Sequence, residues 1–114
     1  MEVAQKEAVK PITVTRSPEE AVAGADVVNT DVWASMGQEE EAEERLAIFQ
    51  PLQINSALMA RAPSDAIVLH CLPAHREEEI TGAVLESDQC VAFDQAENKM
   101  HMHKAILELL IGGK

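Results

Sequence analysis

The residue types that could do chemistry are concentrated in one short segment, His70 to Arg76, with the sequence HCLPAHR. The segment contains a thiol, two imidazoles and a guanidinium. It follows the apolar run Ala66–Leu69 and precedes an acidic, helix-like stretch, an order that predicts a buried strand, a sharp turn and a helix. Because ligands of open α/β sheets bind at the carboxyl ends of the strands, this turn is the first candidate site.

Cys71 has two interpretations. A lone cysteine is more often a small buried hydrophobe than a nucleophile, but the nearby His70, His75 and Arg76 could favour the thiolate and lower the thiol pKa. For His70, at the end of the predicted strand, a hydrogen-bonded core histidine is the leading interpretation. The only other cysteine is Cys90, and the composition favours two free thiols over a disulfide.

No metal site is predicted. His101 and His103 are two positions apart, which places them on different sides of a helix, whereas helical ligand pairs lie at i and i+4. The spacing of the cysteines does not suit zinc either. The acidic run Glu39–Glu44 is interpreted as a solvated helix face. The sequence contains no glycine-rich phosphate loop, so a phosphate would have to be held by Arg76, Lys99 and helix N-termini.

A second polar cluster consists of Asp31 and the segment Ser35-Met36-Gly37, just past another predicted strand. Aspartate, serine and glycine are common turn formers, so composition alone favours a strand-to-helix turn. The functional interpretation is a pocket for a cationic or zwitterionic ligand, with Asp31 as the counter-ion and Ser35 as a hydrogen-bonding group.

Strands and helices alternate in the hydrophobic pattern, which predicts right-handed crossovers and a parallel sheet. The strands are expected at 12–15, 25–30, 67–70 and 90–93, and the helices at 2–9, 18–24, 39–50, 56–62, 78–85 and 96–111. The predicted fold class is α/β, a three-layer Rossmann-like parallel sheet flanked by helices, in a single domain over residues 1–114. Ser17 and Asn55 are the expected N-caps of two of these helices.

Composition narrows the class of partner. The formal net charge is −11, which argues against nucleic acid and against anionic membranes. No apolar run approaches the ~18 residues of a membrane span, and no signal peptide opens the chain, so a cytoplasmic protein is expected.

Four blocks of this sequence resemble ornithine carbamoyltransferases, in that family's order. They are GADVV at 24–28, TDVWASMGQEE at 30–40, HCLPAHREEEIT at 70–81 and FDQAEN at 93–98. The Ser-Met-Gly and His-Cys-Leu-Pro parts are highly specific, and the resemblance runs from about residue 12 to the last helix. It implies transfer of the carbamoyl group of carbamoyl phosphate to the δ-amine of L-ornithine, giving citrulline and phosphate in arginine biosynthesis, with no metal or organic cofactor.

The resemblance also implies a role for each matched position. Asp31, Ser35 and Met36 would hold the amino-acid head of ornithine, with Asp31 meeting the α-ammonium. Cys71 would lie beside the attacking amine, as pocket lining and not as a covalent nucleophile. Leu72 would offer its backbone carbonyl to the carbamoyl amide, and Lys99 stands where the family has an arginine that contacts carbamoyl phosphate.

Other family features are missing. The Ser-Thr-Arg-Thr and His-Pro-x-Gln segments, which belong to the family's N-terminal carbamoyl-phosphate domain, do not occur in this chain. Within the matched blocks, Glu77 replaces a glycine and Lys99 replaces an arginine. The second change removes the planar guanidinium, which can bind phosphate or carbonyl oxygen through two hydrogen bonds. The chain is therefore expected to be a C-terminal, ornithine-binding segment that is inactive alone, binds ornithine weakly or not at all, and meets carbamoyl phosphate only with the missing domain.

Two further expectations concern assembly and alternatives. Incomplete α/β sheets leave strand edges and apolar faces uncovered, so a homo-oligomer is expected. A dimer is favoured over a trimer, because the resemblance implies that the family trimer is made largely by the missing domain. The alternative function is a non-catalytic module that binds an amino acid or another protein. A relative acting on putrescine or another amine is disfavoured, because Asp31 with Ser35-Met36-Gly37 suits an α-amino acid head.

Overall fold

The fold is known from a computed structural model that describes residues 2–34 and 42–112. The helices in this part are α1 (Glu2–Glu7), α2 (Pro18–Val22), α3 (Ala42–Phe49), α4 (Ser56–Met59), α5 (Gly82–Leu85) and α6 (Ala92–Ile111). The strands are β1 (Val27–Thr30) and β2 (Ile67–His70), and a 3-10 turn covers Gln50–Leu52.

The two strands are parallel and in direct register, from Val27 opposite Ile67 to Thr30 opposite His70. Their carboxyl ends therefore lie side by side. Helix α6 contacts β2, and α2 contacts α4. The predicted class, an α/β protein with a parallel sheet flanked by helices, is confirmed for a partial sheet of two strands.

Local signals in the sequence explain where several helices begin. The Ser17 hydroxyl accepts the N–H of Glu20 at 3.2 Å, and the Asn55 side chain accepts the N–H of Leu58 at 3.0 Å, so both predicted N-caps are confirmed. The capping box at Ser17 is only half formed, because the Glu20 carboxylate instead accepts the Thr15 hydroxyl at 2.7 Å. Gly24 follows α2 at a φ of +94°, a conformation that glycine adopts without strain.

Two predicted strands do not form in the described part of the chain. Residues 12–15 are irregular, and Ile12 and Val14 are 41% and 64% exposed. A β-branched run becomes a strand only when a neighbouring strand supplies hydrogen bonds and packing, and none is beside it. Cys90 makes a single isolated bridge with Val68, and α6 already begins at Ala92.

The helix predicted over 78–85 begins later, at the Thr81 cap of α5. The preceding Ile80 is bridged to Ile54 and to Arg76, so its backbone is committed to extended pairing and not to a helix. The helix predicted from Glu39 starts outside the described residues, and within them α3 runs from Ala42.

The core is aliphatic and lies between β2, α4, α5 and the start of α6. Its members, all buried, are Val22, Val28, Ile54, Leu58, Met59, Ala66, Val68, Ile80, Val84, Leu85 and Ala92. Helix α6 leaves this core after its first turns, and from Glu97 onward every described residue is exposed. No helix in residues 2–34 and 42–112 is both long enough and apolar enough to cross a membrane.

Candidate functional site

The parallel register brings Asp31 and Cys71 together, although 40 residues of sequence separate them. Each follows the last residue of its strand, Thr30 and His70, and those two residues are partners in the sheet. The Cys71 thiol donates a hydrogen bond to Asp31 Oδ1, with Sγ and Oδ1 3.0 Å apart. The backbone N–H of Val32 donates to the same oxygen at 2.7 Å. The structure therefore brings these two predicted residues together at the carboxyl ends of the strands.

The two side chains shift each other's pKa in opposite directions. The thiol hydrogen bond from Cys71, followed by the N–H of Val32, lowers the pKa of the Asp31 carboxyl below its usual range. The Asp31 carboxylate, as hydrogen-bond acceptor and as negative charge, raises the pKa of the Cys71 thiol, and partial burial adds to this. Asp31 outweighs the opposing effect of Lys99, so the suggestion that nearby cations lower the thiol pKa is wrong.

The resulting chemistry is that of a binding surface. Asp31 is held as a carboxylate and Cys71 as a neutral thiol, and a thiol kept protonated is a poor nucleophile. A carboxylate beside a neutral hydrogen-bonding group suits an ammonium ligand. The role of Cys71 as the lining of an amine pocket stays a prediction.

Lys99 comes to the same place from α6. Its Nζ donates to the backbone carbonyl oxygen of Cys71 at 3.0 Å. Leu72, the next residue, is half-buried against the core and has a φ of 54°, in the left-handed region that non-glycine residues rarely adopt. The predicted residues Asp31, Cys71, Leu72 and Lys99 are thus close together, while Ser35 and Met36 lie outside the described residues.

His70 is a satisfied core histidine, as expected. Its side chain is fully buried, and Nε2 lies 2.9 Å from Glu79 Oε1. Its other ring nitrogen, Nδ1, accepts the backbone N–H of Leu72 at 2.8 Å. Glu79 is equally buried, and the same Oε1 accepts the N–H of His75 at 2.7 Å.

The importance of Glu79 was missed in the sequence, where the acidic residues after Arg76 were assigned to a helix. Its carboxylate also lies within 4.8 Å of ligand atoms from His75 and Glu78, close enough for a cation. His75 Nδ1 already lies 3.4 Å from Glu78 Oε2, and Glu79 Oε1 already accepts two hydrogen bonds. Glu79 Oε2 is buried without a hydrogen-bond partner, but the other ligand atoms of the cluster already have partners, so we assign it no metal.

The other polar residues considered above lie on the surface. Arg76 forms an ion pair with Glu86, so the positive charge of this suggested phosphate ligand is already neutralised. His101 lies 3.3 Å from Glu97 on the exposed part of α6, and His103 is exposed on the same helix. Cys71 and Cys90 are both free thiols, as predicted.

Comparison with known proteins gives one consistent family. Residues 1–110 match the family described as "Aspartate/ornithine carbamoyltransferase, Asp/Orn binding domain". The ornithine carbamoyltransferase of Desulfotalea psychrophila is 68% identical over 109 residues, covering 96% of this chain and 36% of that protein. The anabolic ornithine carbamoyltransferase of Pseudomonas aeruginosa is 58% identical over 100 residues, covering 88% of this chain and 33% of that protein.

Solved structures agree with these relatives. Ornithine carbamoyltransferase from Pyrococcus furiosus superposes with a TM-score of 0.78 at 55% identity, over 86% of this chain and 31% of that one. The ornithine transcarbamoylase of Giardia lamblia gives a TM-score of 0.79 at 31% identity, over 99% of this chain and 36% of that one. The chain spans about a third of the length of the relatives it matches.

Proposed function

The chain belongs to the aspartate/ornithine carbamoyltransferase family, through its Asp/Orn-binding domain, and we propose that it provides the ornithine side of an ornithine carbamoyltransferase. In this proposal residues 1–114 are a C-terminal segment of the ornithine-binding domain. The reaction is transfer of the carbamoyl group from carbamoyl phosphate to the δ-amine of L-ornithine, which gives citrulline and phosphate.

The observation that carries the proposal is the contact between Asp31 and Cys71 at the adjacent carboxyl ends of β1 and β2. Ornithine has an α-ammonium group and a second amine at the end of its side chain. The Asp31 carboxylate attracts the α-ammonium, with Ser35 and Met36 completing the pocket for the amino-acid head. Cys71 then lies along the side chain, beside the amine that attacks.

Leu72 and Lys99 extend the site toward the second substrate. The Leu72 carbonyl accepts a hydrogen bond from the carbamoyl amide and so fixes the orientation of the electrophile. Lys99, whose Nζ is already 3.0 Å from the Cys71 carbonyl oxygen, contributes positive charge on that side. Such a site works by positioning its substrates and by preorganised hydrogen bonding, with no covalent intermediate on the enzyme.

Carbamoyl phosphate needs more positive charge than this chain offers. Arg76 is paired with Glu86, Lys99 is the remaining cation beside Cys71 among the described residues, and the chain carries a net charge of −11. We therefore propose that the phosphate group is bound by another part of the family's fold, an N-terminal carbamoyl-phosphate domain, and that the 114 residues alone do not catalyse the transfer. Ornithine alone binds weakly or not at all to this half-site.

A graft tests the proposal. Residues 12–111 of this chain would replace the matching third of the Pyrococcus furiosus enzyme, and citrulline formation would be measured. We expect the graft to form citrulline, and Asp31→Asn and Cys71→Ala to reduce the rate by about 10²-fold or more, typical of lost positioning. Asp65→Asn is the control, because Asp65 is exposed and lies before β2, at the opposite end of that strand from Cys71. A stable graft that is active with both site residues replaced would refute the assignment.

We also propose that the isolated chain forms a homodimer through α6. Ala96, Met100, His103, Leu107 and Leu110 have the four-then-three spacing of a coiled-coil seam, and Met100, Leu107 and Leu110 are 51%, 54% and 73% exposed. Since each copy carries a charge of −11, added salt should strengthen the association by screening repulsion. Light scattering that finds a monomer at high protein concentration and in 0.5 M salt (about a 4 Å screening length) would refute this.

A further inference from the structure

The buried pair His70 and Glu79 has no part in the roles assigned above. Both side chains are 0% exposed, and Nε2 of His70 lies 2.9 Å from Oε1 of Glu79. They are the buried polar residues of a core whose other described members are apolar. Burying two polar side chains is unfavourable unless their hydrogen bonds are made, and apolar residues of similar volume would often be as stable. The pair therefore needs an explanation other than packing.

The hydrogen bonds of the pair lead to the loop that follows β2. His70 Nδ1 accepts the backbone N–H of Leu72 at 2.8 Å, and Glu79 Oε1 accepts the backbone N–H of His75 at 2.7 Å. The two bonds hold the loop near its beginning and at its end. Because Nδ1 accepts this hydrogen bond, it carries no proton. The ring proton of a neutral His70 is therefore on Nε2 and points to Glu79.

The conformation of Leu72 makes such support necessary. Its φ of 54° is unfavourable for a residue with a side chain, and strained backbone persists only where surrounding contacts hold it. The bond from its own N–H to His70 is one such contact. The direction of the Leu72 carbonyl and the position of the neighbouring Cys71 both depend on this backbone conformation.

Glu79 itself is placed by the scaffold. The N–H of Glu77 donates to the carbonyl of Ile80 at 2.9 Å and closes the turn that contains Glu79. The Gln53 side-chain amide donates to the carbonyls of Glu77 and Glu78 at 2.9 and 2.8 Å. These bonds hold the backbone of the turn and so position the Glu79 carboxylate independently of the loop after β2.

We propose that His70 and Glu79 are positioning residues, which hold Leu72 in its left-handed conformation and so place the Leu72 carbonyl and the Cys71 thiol opposite Asp31. The link to substrate rests on the proposed function, in which Leu72 and Cys71 face the reacting groups. The conformational part does not rest on it and is measurable without substrate.

Matched variants of two neighbouring carboxylates test the proposal in the full 114-residue chain. Glu79→Gln keeps an oxygen that accepts both hydrogen bonds, whereas Glu79→Leu removes the acceptor at similar size. Glu78→Gln and Glu78→Leu are the controls. The readouts are amide hydrogen exchange at Leu72 and His75 and the alkylation rate of Cys71 by iodoacetamide.

We expect Glu79→Leu to speed exchange at both loop amides by about tenfold relative to the amide of Val68, the effect of one lost hydrogen bond. Alkylation of Cys71 should become several-fold faster as its thiol leaves Asp31. Glu79→Gln should stay close to the wild type, and neither Glu78 variant should change these readouts. Equal effects of Glu79→Gln and Glu79→Leu, or no effect of Glu79→Leu, would overturn the proposal.

A measurement on the wild type covers the case in which Glu79→Leu does not fold. Long-range ¹H–¹⁵N NMR of the imidazoles should find a proton on Nε2 of His70 and none on Nδ1, which accepts the N–H of Leu72. A proton on Nδ1 would exclude the bond to Leu72 and overturn the proposal. Calorimetry with ornithine on the graft tests the proposed function alone. Absence of ornithine binding would count against that function but would not affect the conclusion drawn from amide exchange.

Discussion

Replacing Ile80 by alanine tests how firmly the core supports the candidate site. Ile80 is 0% exposed, follows Glu79 directly and is bridged to Ile54 and Arg76. The change removes three carbon atoms, worth about 2.4 kcal/mol at roughly 0.8 kcal/mol for each buried group. The cavity left behind adds to this, so we expect the free energy of unfolding to fall by about 3–4 kcal/mol, within the usual range for such changes.

That loss is large for this chain. At about 0.05 kcal/mol per residue, the low end expected for an incomplete sheet, 114 residues give a total stability near 6 kcal/mol. Ile80→Ala should therefore lower the unfolding temperature by roughly 12–20 °C, and Ile80→Val should cost only about 0.5–1.5 kcal/mol. Urea unfolding followed by circular dichroism measures the free energies, and a thermal melt at the same fixed protein concentration measures the unfolding temperatures.

The control for Ile80→Ala is Val9→Ala, because Val9 is fully exposed at 101% and its truncation should change stability by less than about 0.5 kcal/mol. A loss below about 1 kcal/mol for Ile80→Ala would contradict the buried position of this residue. Equal losses for the two variants would contradict the described core as a whole.

Three further predictions follow from the contacts described above. Asp31→Asn should speed the alkylation of Cys71 at pH 7, because the carboxylate that raises the thiol pKa is gone; an unchanged rate would refute the contact. In the wild type the Asp31–Cys71 contact should stabilise the fold between about pH 4 and pH 8.5, the ordinary values of the two groups. Asp31 has a lowered pKa, so its contribution disappears as the pH falls through that value, whereas Cys71 has a raised pKa, so its contribution disappears as the pH rises through it. Urea midpoints measured from below pH 4 to above pH 8.5 should show both losses in the wild type and neither in Asp31→Asn. Leu107→Lys with Leu110→Lys should leave a monomer in light scattering, while Lys104→Ala on the same helix should still dimerise; a monomeric Lys104→Ala variant would contradict the proposed α6 seam.

The sequence predicts local features well where the signal is itself local. Ser17 and Asn55 cap their helices, and Ile67–His70 is a strand, because caps and apolar runs act over a few residues. The pairing of Asp31 with Cys71 was predictable to the level of a shared sheet edge, since carboxyl ends of parallel strands lie together. Which two residues face each other depends on the register of β1 and β2, and that register is set by the pairing of the whole strands and not by a local pattern.

Other features depend on contacts that a pattern does not contain. The run Ile12–Thr15 has the composition of a strand, but no partner strand lies beside it within residues 2–34 and 42–112. The residues Cys90–Phe93 look like another strand, yet the chain turns into α6 after one bridge. Glu79 looks like one of several acidic surface residues, and only the fold shows that it is buried against His70. The suggestion that nearby cations lower the thiol pKa of Cys71 fails because Asp31, which is distant in sequence, raises this pKa.

The most direct test of the central claim is a single citrulline assay with ornithine and carbamoyl phosphate on two samples, the purified 114-residue chain and the graft into the Pyrococcus furiosus enzyme. We expect citrulline from the graft, lost with Cys71→Ala, and none above background from the chain alone. Citrulline formation by the 114 residues alone, abolished by Cys71→Ala, would contradict it.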